Sequence, residues 1–216
     1  MGSTRLPGKV LKFVGERTVL GHILYRLDLL QHDVLILVAT SDLDRDNVIE
    51  RFCKDNNTLC FRASETNVLY RYYECAKLYN LEHIVRLTGD NPFTDIEELD
   101  RLIDLHFRMH TDFCHSLSTL PVGTGAEIFT FDALETAVKE ATDLHHFEHV
   151  DEYLLEHPEQ FKTSILDVPG SKNYPDIRLT IDNEKDYQKA CSIMENTRQA
   201  ELAGIEEALS YCMHSV

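Results

Sequence analysis

Short apolar runs alternate with stretches of helical periodicity along this chain. Residues 34–39 are continuously apolar, as in a strand buried on both faces, and the run ends at Thr40, Ser41 and Asp42. Before it, apolar residues recur at helical spacing over residues 19–30. Further strands are predicted at 58–62, 83–88 and 177–181, and further helices at 68–79, 149–156 and 200–213. This alternation predicts a three-layer α/β fold, with a mostly parallel sheet and helices on both faces.

The length and composition favour one domain. The 216 residues contain no Pro/Gly/Ser-rich linker, and 43% of them are hydrophobic, which is enough for a substantial core. We therefore predict a single domain over residues 1–216. The formal net charge of −16 argues against nucleic acid or an anionic membrane as a partner. It also requires that a site for an anionic substrate concentrate cations locally.

Cysteine usage and hydropathy indicate a cytoplasmic protein. None of the six cysteines forms a Cys-x-x-Cys pair, so we interpret them as thiols in a reducing compartment. No apolar run reaches transmembrane length, and no signal peptide is visible.

The first nine residues have the composition of a phosphate-binding loop. Gly2 and Gly8 let the backbone approach anionic oxygens closely, and Ser3 adds a hydroxyl. Arg5 can bind phosphate oxygens with two N–H groups, and Lys9 supplies a mobile positive charge. The spacing is not that of a P-loop ATPase, because five residues separate the two glycines and a valine follows the lysine. A solvated segment of the same composition is the alternative.

Acidic and hydroxyl residues follow three of the predicted strands. Ser41 and Asp42 follow the strand at 34–39, and two later strands are followed by Asp90 and Asp182. In open α/β sheets, ligands bind beyond the carboxyl ends of the strands. Mg²⁺ binds through one or two carboxylates together with phosphate oxygens, so Asp90 and Asp182 beside a cationic loop predict a magnesium–polyphosphate site. The alternative is that each aspartate only caps the next helix or turn.

Several motifs, in order along the chain, carry a family resemblance. They are Met-Gly-Ser-Thr-Arg-Leu-Pro-Gly-Lys-Val-Leu at 1–11, Val-Ala-Thr-Ser-Asp at 38–42, Phe-Arg at 61–62 with Ser-Glu at 64–65, Arg-Leu-Thr-Gly-Asp-Asn-Pro at 86–92, Glu-His-Val at 148–150 and Arg-Leu-Thr-Ile-Asp at 178–182. Over nearly its whole length the chain resembles the cytidylyltransferase superfamily that makes CMP-activated acidic sugars, and most closely its SpsF-type spore-coat polysaccharide branch. The resemblance implies a Rossmann-like, nucleotide-diphospho-sugar transferase fold.

The resemblance also implies roles for individual residues. A loop with Gly2, Ser3, Arg5 and Lys9 would hold the triphosphate, while Thr40, Ser41 and Arg62 would lie along the nucleotide. Asp90 and Asp182 would hold Mg²⁺, and the residues central to catalysis would be Arg5, Lys9 and Asp90. The residues that would face or shape the sugar side are Glu127, Glu148, His149 and Arg178.

The implied reaction is nucleotidyl transfer for surface-polysaccharide synthesis. A hydroxyl or phosphate oxygen of an acidic sugar or sugar phosphate attacks the α-phosphorus of CTP, and pyrophosphate leaves. Catalysis of this kind depends mainly on positioning and charge neutralisation. The same resemblance implies a homodimer.

Two features depart from the family pattern. Ala63 stands where the family usually has glycine, and it would strain or narrow the pocket if that position needed positive φ or close approach to the base. Family members also place a hydrophobic strand before the Met-Gly-Ser-Thr-Arg run. We therefore expect the sheet to lack its first strand and Met1 to be an internal residue of a longer chain.

Other functions stay open on the sequence. One is a non-catalytic nucleotide-binding or scaffold protein, disabled by a lost strand and by Ala63. Another is a nucleotide-sugar-dependent glycosyltransferase, because Asp42-Leu-Asp44 matches a D-x-D metal motif, although Asp44 more simply begins the next helix. His145 and His149, four residues apart, would share a face of a helix and could bind zinc, but the sequence offers no third ligand at a useful spacing.

Overall fold

The computed structural model describes residues 1–197 and 205–214. In these ranges the strands are β1 (Phe13–Val14), β2 (Arg17–Thr18), β3 (Leu37–Ser41), β4 (Leu59–Ala63), β5 (His83–Arg86), β6 (Phe113–His115), β7 (Glu127–Thr130) and β8 (Thr163–Ile165). The helices are α1 (Val19–Leu27), α2 (Asn47–Asp55), α3 (Val68–Leu78), α4 (Ile96–Met109), α5 (Phe131–Glu140), α6 (Leu144–Glu148), α7 (Glu152–Glu156), α8 (Glu184–Asn196) and α9 (Ile205–His214). Of the predicted last helix, residues 200–204 lie outside the described residues.

The larger strands form two sheets. β3 pairs with β4 in parallel, with Leu37 opposite Leu59 and Ser41 opposite Ala63. The second sheet has the order β5-β7-β6-β8. Because β7 is antiparallel to both β5 and β6, and β8 is parallel to β6, three of its four strands run in one direction. The prediction of a mostly parallel α/β fold is confirmed.

Successive side chains on β6 and β7 point alternately to two helical layers. Phe113 lies opposite Phe129, and both pack in a core cluster with residues of α3, α5 and α7. Their neighbours Cys114 and Ile128 also lie opposite each other, but they pack in a second cluster with residues of α4. Because successive side chains of a strand point to opposite faces, helices cover both sides of this sheet.

An apolar cavity separates the two sheets. It has a volume of about 630 Å³, and its walls include residues of β3, β5, α1 and α3. Within the described chain, β3 pairs only with β4 and β5 only with β7, so each leaves one edge without a strand partner. The cavity therefore lies between the edges of β3 and β5 that have no strand partner among the described residues.

The prediction of a strand at 177–181 is wrong. In these described residues only Arg178 forms a bridge, with Val122, and two backbone hydrogen bonds of 2.8 and 2.9 Å flank it. The facing segment turns away at Gly123, whose φ is 94°. Pairing therefore stops after one residue, because a β-ladder needs extended backbone on both sides.

The strand predicted at 34–39 begins later than the apolar run suggested. β3 starts at Leu37, and Val34 and Leu35 are exposed. Its partner strand starts only at Leu59, because the turn after α2 contains Asn57 with a φ of 52°. Residues 34–36 therefore have no extended segment beside them on that side.

The helix predicted at 149–156 is wrong in its first part. α6 ends at Glu148, the next residue, His149, has extended backbone, and α7 begins only at Glu152. The chain turns between the two helices and buries Val150 completely in the cluster beneath α5. His145 and His149 therefore do not share a helix face. Among the described helices, none combines the length and the apolar character needed to cross a membrane.

Candidate active site

The loop before β1 is anchored by an apolar side chain and shaped by a glycine. Leu6 is buried in a core cluster that also contains Val14 and Ile181. The backbone amide of Leu6 donates a hydrogen bond of 3.2 Å to Ser3 Oγ. Gly8 adopts the left-handed conformation, with φ of 71°, and a 3-10 turn over Lys9–Leu11 follows it. The anchor and the turn together fix the point from which the Lys9 side chain extends.

Lys9 lies between two aspartates. Its Nζ is 2.6 Å from Asp90 Oδ2 and 3.0 Å from Asp182 Oδ1. The two aspartates are held side by side because the amide of Ile181 donates a 3.0 Å hydrogen bond to the carbonyl oxygen of Asp90. The structure thus brings the loop and both aspartates into one cluster, although 81 and 173 positions separate Lys9 from its partners.

Two arginines join this cluster at Asp182. Arg5 Nη2 lies 3.3 Å from Asp182 Oδ1, and Arg178 pairs with Oδ2 of the same carboxylate. Partial burial raises the pKa of Asp182, but Lys9, Arg178 and Arg5 outweigh that effect, so the pKa is lowered overall. The side chains of Arg5 and Arg178 are 66% and 46% exposed, which leaves both guanidinium groups accessible to an anionic ligand.

The two carboxylates form a binding place for a cation. Asp90 and Asp182 each direct one oxygen at the same ammonium group, within hydrogen-bond distance. Both side chains are mostly buried, so their charges are poorly screened by water and need a nearby cation. Oxygen ligands are what magnesium and related divalent ions prefer. The residues present therefore fit a divalent cation held by these two carboxylates.

The carboxyl end of β3 is organised by Asp46, which the sequence analysis did not single out. Its Oδ2 accepts hydrogen bonds of 2.7 Å from the hydroxyls of both Thr40 and Ser41. Its Oδ1 lies 2.8 Å from the amino group of Met1. Burial raises the pKa of Asp46, but these hydrogen bonds outweigh it and the pKa is lowered. Thr40 and Ser41 are therefore fixed by a carboxylate, and their role along a nucleotide stays a prediction.

Arg62 braces the same strand end. Its Nε donates to the carbonyl oxygen of Ser41 at 3.0 Å, and its Nη2 donates to that of Leu43 at 2.9 Å. Its Nη1 contacts Asn47 and Glu50 at 2.7 and 2.8 Å. All three guanidinium nitrogens therefore already bind protein groups. The contact between Arg62 and a nucleotide stays a prediction. Its observed effect is to hold the turn that follows β3.

The two small residues near this end differ in how much space surrounds them. A Cβ on Gly2 would lie 2.8 Å from Arg45 Nη2 and from Glu65 Oε1, so the ion pair of these two side chains closes over the glycine. Ala63 instead ends β4 opposite Ser41 in ordinary extended backbone, and its carbonyl oxygen accepts the amide of Asp42 at 2.9 Å. Ala63 therefore sits there without the backbone strain that positive φ would impose.

Glu127 is buried in an ion pair. Arg86 Nη1 donates to its two carboxylate oxygens at 2.8 and 2.6 Å and lies 3.3 Å from Asp151 Oδ1. Burial raises the pKa of Glu127, and the Arg86 guanidinium opposes that rise. All three side chains are at least 88% buried, so a sugar would meet Glu127 only after passing its neighbours. The role predicted for Glu127 on the sugar side is untested.

The remaining predicted residues, Glu148 and His149, lie at the end of α6. Both are exposed, and His149 forms the helix C-cap with its amide bonded to the carbonyl oxygen of His145 at 2.9 Å. The structure does not bring either side chain into contact with the Lys9 cluster. Their proposed part in sugar binding therefore remains a prediction.

The fold and this arrangement define a nucleotidyltransferase: a cationic loop meets two aspartates at one end of an α/β sheet. A family model described as Cytidylyltransferase matches residues 1–208, and the chain belongs to that family. The spore coat polysaccharide biosynthesis protein SpsF of Bacillus subtilis (strain 168) is 36% identical over 193 residues, covering 87% of this chain and 80% of that protein.

Solved structures support the assignment. A cytidylyltransferase from Leptospira borgpetersenii superposes with a TM-score of 0.90 at 32% identity, covering all of this chain and 91% of the other. A CMP:2-keto-3-deoxy-manno-octonic acid synthetase, solved in complex with CTP, superposes with a TM-score of 0.64 at 15% identity. That alignment covers 90% of this chain and 94% of the synthetase. The second likeness shows the fold alone.

Proposed function

We propose that this protein transfers CMP from CTP to an acidic sugar or sugar phosphate used in surface polysaccharides, with release of pyrophosphate. The observation that carries the proposal is the cluster in which Lys9 contacts both Asp90 and Asp182. It gives one site both cations for a triphosphate and carboxylates for a metal ion. The names of the relatives support the donor and the process, since one belongs to spore coat polysaccharide synthesis and one structure holds CTP.

The metal ion is proposed to be Mg²⁺, held by Asp90 and Asp182. A protein of the same fold from Mycobacterium tuberculosis, 18% identical with a TM-score of 0.62, was solved with manganese, which supports a divalent ion. When bound, such an ion would neutralise charge on the triphosphate. The choice of Mg²⁺ rests on the oxygen-only donor pair, because that ion usually binds one or two carboxylates together with phosphate oxygens.

The other residues of the cluster bind and position the substrates in this proposal. Arg5 and Lys9 contact the triphosphate and offset the charge that develops on the leaving pyrophosphate. Arg178, on the other side of Asp182, would face the sugar. Nucleotidyl transfer asks the protein mainly to hold the attacking oxygen in line with the α-phosphorus, so rigidity of these side chains matters more than acid–base chemistry.

The nucleotide would lie along the carboxyl end of β3. Thr40 and Ser41 would border it there, and Asp46 and Arg62 would keep that strand end rigid. On the sugar side, Glu148 and His149 would contact the acceptor, while Glu127 would shape the pocket through its ion pair with Arg86. We further propose that the protein works in the cytoplasm as a homodimer.

The decisive experiment measures pyrophosphate release from CTP and Mg²⁺ with a panel of acidic sugars and sugar phosphates. Asp90→Asn should lower kcat by about 100-fold or more, because a carboxylate proposed to hold the ion that neutralises the triphosphate is lost. The matched control is Asp167→Asn, an exposed aspartate whose carboxylate forms no hydrogen bond or ion pair within the described chain. It should leave the rate unchanged. An Asp90→Asn variant as fast as the wild type would remove Asp90 from the metal site.

Two results would point to the alternatives. Binding of CTP in a thermal-shift assay without turnover on any acceptor or nucleotide would indicate a non-catalytic nucleotide-binding protein. Release of a nucleoside diphosphate from a nucleotide sugar, instead of pyrophosphate from CTP, would indicate a glycosyltransferase. Light scattering of the purified protein tests the homodimer.

A further inference from the structure

A second group of possible metal ligands lies on α6 and α7, away from the Lys9 cluster. Asp143, His145 and His146 each offer one ligand atom, and these atoms lie within 4.8 Å of one another. The two imidazole rings are 4.1 Å apart between centroids. Two imidazoles and a carboxylate therefore surround one small volume.

A second carboxylate comes from the neighbouring helix and contacts both histidines. Glu156 on α7 places Oε1 2.9 Å from Nε2 of His145 and Oε2 2.8 Å from Nε2 of His146. Both rings thus direct a nitrogen at the same anionic group.

The buried histidine of this group has unused hydrogen-bonding capacity. His146 is 4% exposed, and its Nδ1 is buried without a hydrogen-bond partner. Tyr153 packs edge-on against the ring at 5.4 Å, which restricts its rotation. The packing therefore holds the ring so that its Nε2 faces Glu156, and an ion between the two groups could be bound by both.

The donor set selects a class of metal. Imidazole nitrogens with carboxylate oxygens suit Zn²⁺ and other late first-row divalent ions, whereas Mg²⁺ prefers oxygen alone. With Zn–N bonds of about 2.0–2.1 Å, two ligand atoms on a tetrahedral ion are about 3.3 Å apart. The ligand atoms of Asp143, His145 and His146 now lie within 4.8 Å of one another, so each pair would need to approach by no more than about 1.5 Å.

We propose that Asp143, His145, His146 and Glu156 form a binding site for Zn²⁺ or a chemically similar divalent transition metal. The ion would link α6 to α7 and hold the turn between them. That turn carries Asp151, which contacts Arg86 in the buried ion pair. None of these four residues is among those proposed to bind CTP, Mg²⁺ or the sugar, and neither proposal depends on the other.

The test uses the full chain, stripped of metal with a chelator and kept in excess Mg²⁺. Titration with Zn²⁺ against a chromogenic chelator, and with Co²⁺ by visible absorption, should find one site per chain with the intense bands of tetrahedral coordination. His145→Ala and Glu156→Gln should each weaken binding at least about tenfold, since a ligand is lost. Both positions are roughly half exposed, so the variants should fold.

Two controls locate the site. His157→Ala removes a partly exposed histidine from the same segment, 3.5 Å from Glu159, and should leave the affinity unchanged. Asp90→Asn should also retain the full zinc and cobalt affinity, which separates this site from the proposed magnesium site. The near-ultraviolet charge-transfer band of a cobalt thiolate should be absent, because the ligands include no cysteine.

Binding at least about tenfold weaker in His145→Ala and Glu156→Gln, with the affinity retained in His157→Ala and Asp90→Asn, supports the site. Unchanged binding in His145→Ala, binding lost in Asp90→Asn, or a cobalt–thiolate band would overturn it, as would a chain that binds no Zn²⁺.

Discussion

The interaction of Lys9 with Asp182 gives the sharpest test of the active-site geometry. The perturbation is Lys9→Met, combined with Asp182→Asn in a double-mutant cycle. Lys9 is mostly buried and bonds to two carboxylates, so its removal leaves Asp90 and Asp182 facing each other without the cation that separates them. The Lys9→Met variant should therefore be less stable than the wild type, because the repulsion of the two anions adds to the loss of two hydrogen bonds.

The expected magnitude follows from the two charge-assisted contacts. Hydrogen bonds between charged groups contribute about 1.5–3 kcal/mol each, so the loss of both in Lys9→Met should lower the free energy of unfolding by roughly 3–6 kcal/mol at pH 7. Asp182→Asn in the same background removes one of the opposed anions. The double variant should therefore be more stable than the sum of the single changes predicts, by about 1–3 kcal/mol.

The pH dependence has a defined sign. Burial alone would raise the pKa of Asp182. Lys9 and the two arginines lower the pKa by more than burial raises it, so it lies below its ordinary value. The pair therefore stabilises the fold above the unfolded pKa of about 3.9, and this contribution is lost as the pH falls through the lowered native value. The Lys9→Met variant should lose less stability over that acid range than the wild type does.

Urea unfolding followed by circular dichroism measures all four members of the cycle. Lys185→Met, an exposed lysine whose side chain has no partner in the described chain, should stay within about 0.5 kcal/mol of the wild type. Millimolar Mg²⁺ should stabilise Lys9→Met more than the wild type, because the ion can take the position of the lost ammonium group. Single changes that add to within about 0.5 kcal/mol, with no such gain from Mg²⁺, would refute the reasoning.

Three further predictions concern the scaffold. Lys172→Met should lower the free energy of unfolding by about 3–5 kcal/mol, because a buried ammonium group bonded to three carboxylates is lost. Lys185→Met is again the control, and a loss below about 1 kcal/mol in Lys172→Met would contradict the prediction. Gly123→Ala should lower both the Tm and the rate of CMP transfer, because the φ of Gly123 is 94° and the new Cβ would lie 2.5 Å from the backbone nitrogen of Thr180. Gly170 has open space at the position of a Cβ, so Gly170→Ala should change neither quantity. Burial, followed by the neighbouring His83, lowers the pKa of His106 to about 4, so the free energy of unfolding should fall by roughly 2–4 kcal/mol as the pH is lowered from 6.5 to 4. Urea unfolding midpoints of His106→Gln should vary less over that pH range than those of the wild type.

Local patterns predicted the elements whose ends are set by their own residues. The strand and helix predicted at 58–62 and 68–79 are Leu59–Ala63 and Val68–Leu78 in the structure. The helix begins where expected because Asn67 caps it through a 2.8 Å hydrogen bond from the amide of Tyr70. The strand predicted at 177–181 failed because its length depends on a turn at Gly123, more than fifty positions earlier.

The candidate site could be predicted only in part, because its contacts also join residues that are distant in the sequence. Lys9, Asp90 and Asp182 could be named from their residue types and their places near predicted strand ends, and the structure places them together. Asp46 was missed because an acidic residue at the start of a helix normally reads as a cap. The signal that would have found it is the pair of hydroxyls at Thr40 and Ser41, which need an acceptor once their strand end is buried.

The buried ion pair of Glu127 shows what further signal the sequence holds. Glu127 and Phe129 are two positions apart on β7, so they point to the same, inward face. An inward glutamate requires a cation, and Arg86 is the residue directly opposite it across the β5–β7 ladder. The partner could be named only after the strand pairing was known, because β5 and β7 are joined in an antiparallel register that nothing local specifies.

Charge explains why the site needs several cations at once. The chain carries a formal net charge of −16, so its overall field repels a triphosphate and any acidic sugar. In the Lys9 cluster, Arg5, Lys9 and Arg178 exceed Asp90 and Asp182 by one positive charge. A single excess charge attracts a triphosphate weakly, whereas a divalent ion on the two carboxylates would raise the excess to three. Metal and nucleotide should therefore bind with positive coupling, each increasing the affinity for the other by the same factor.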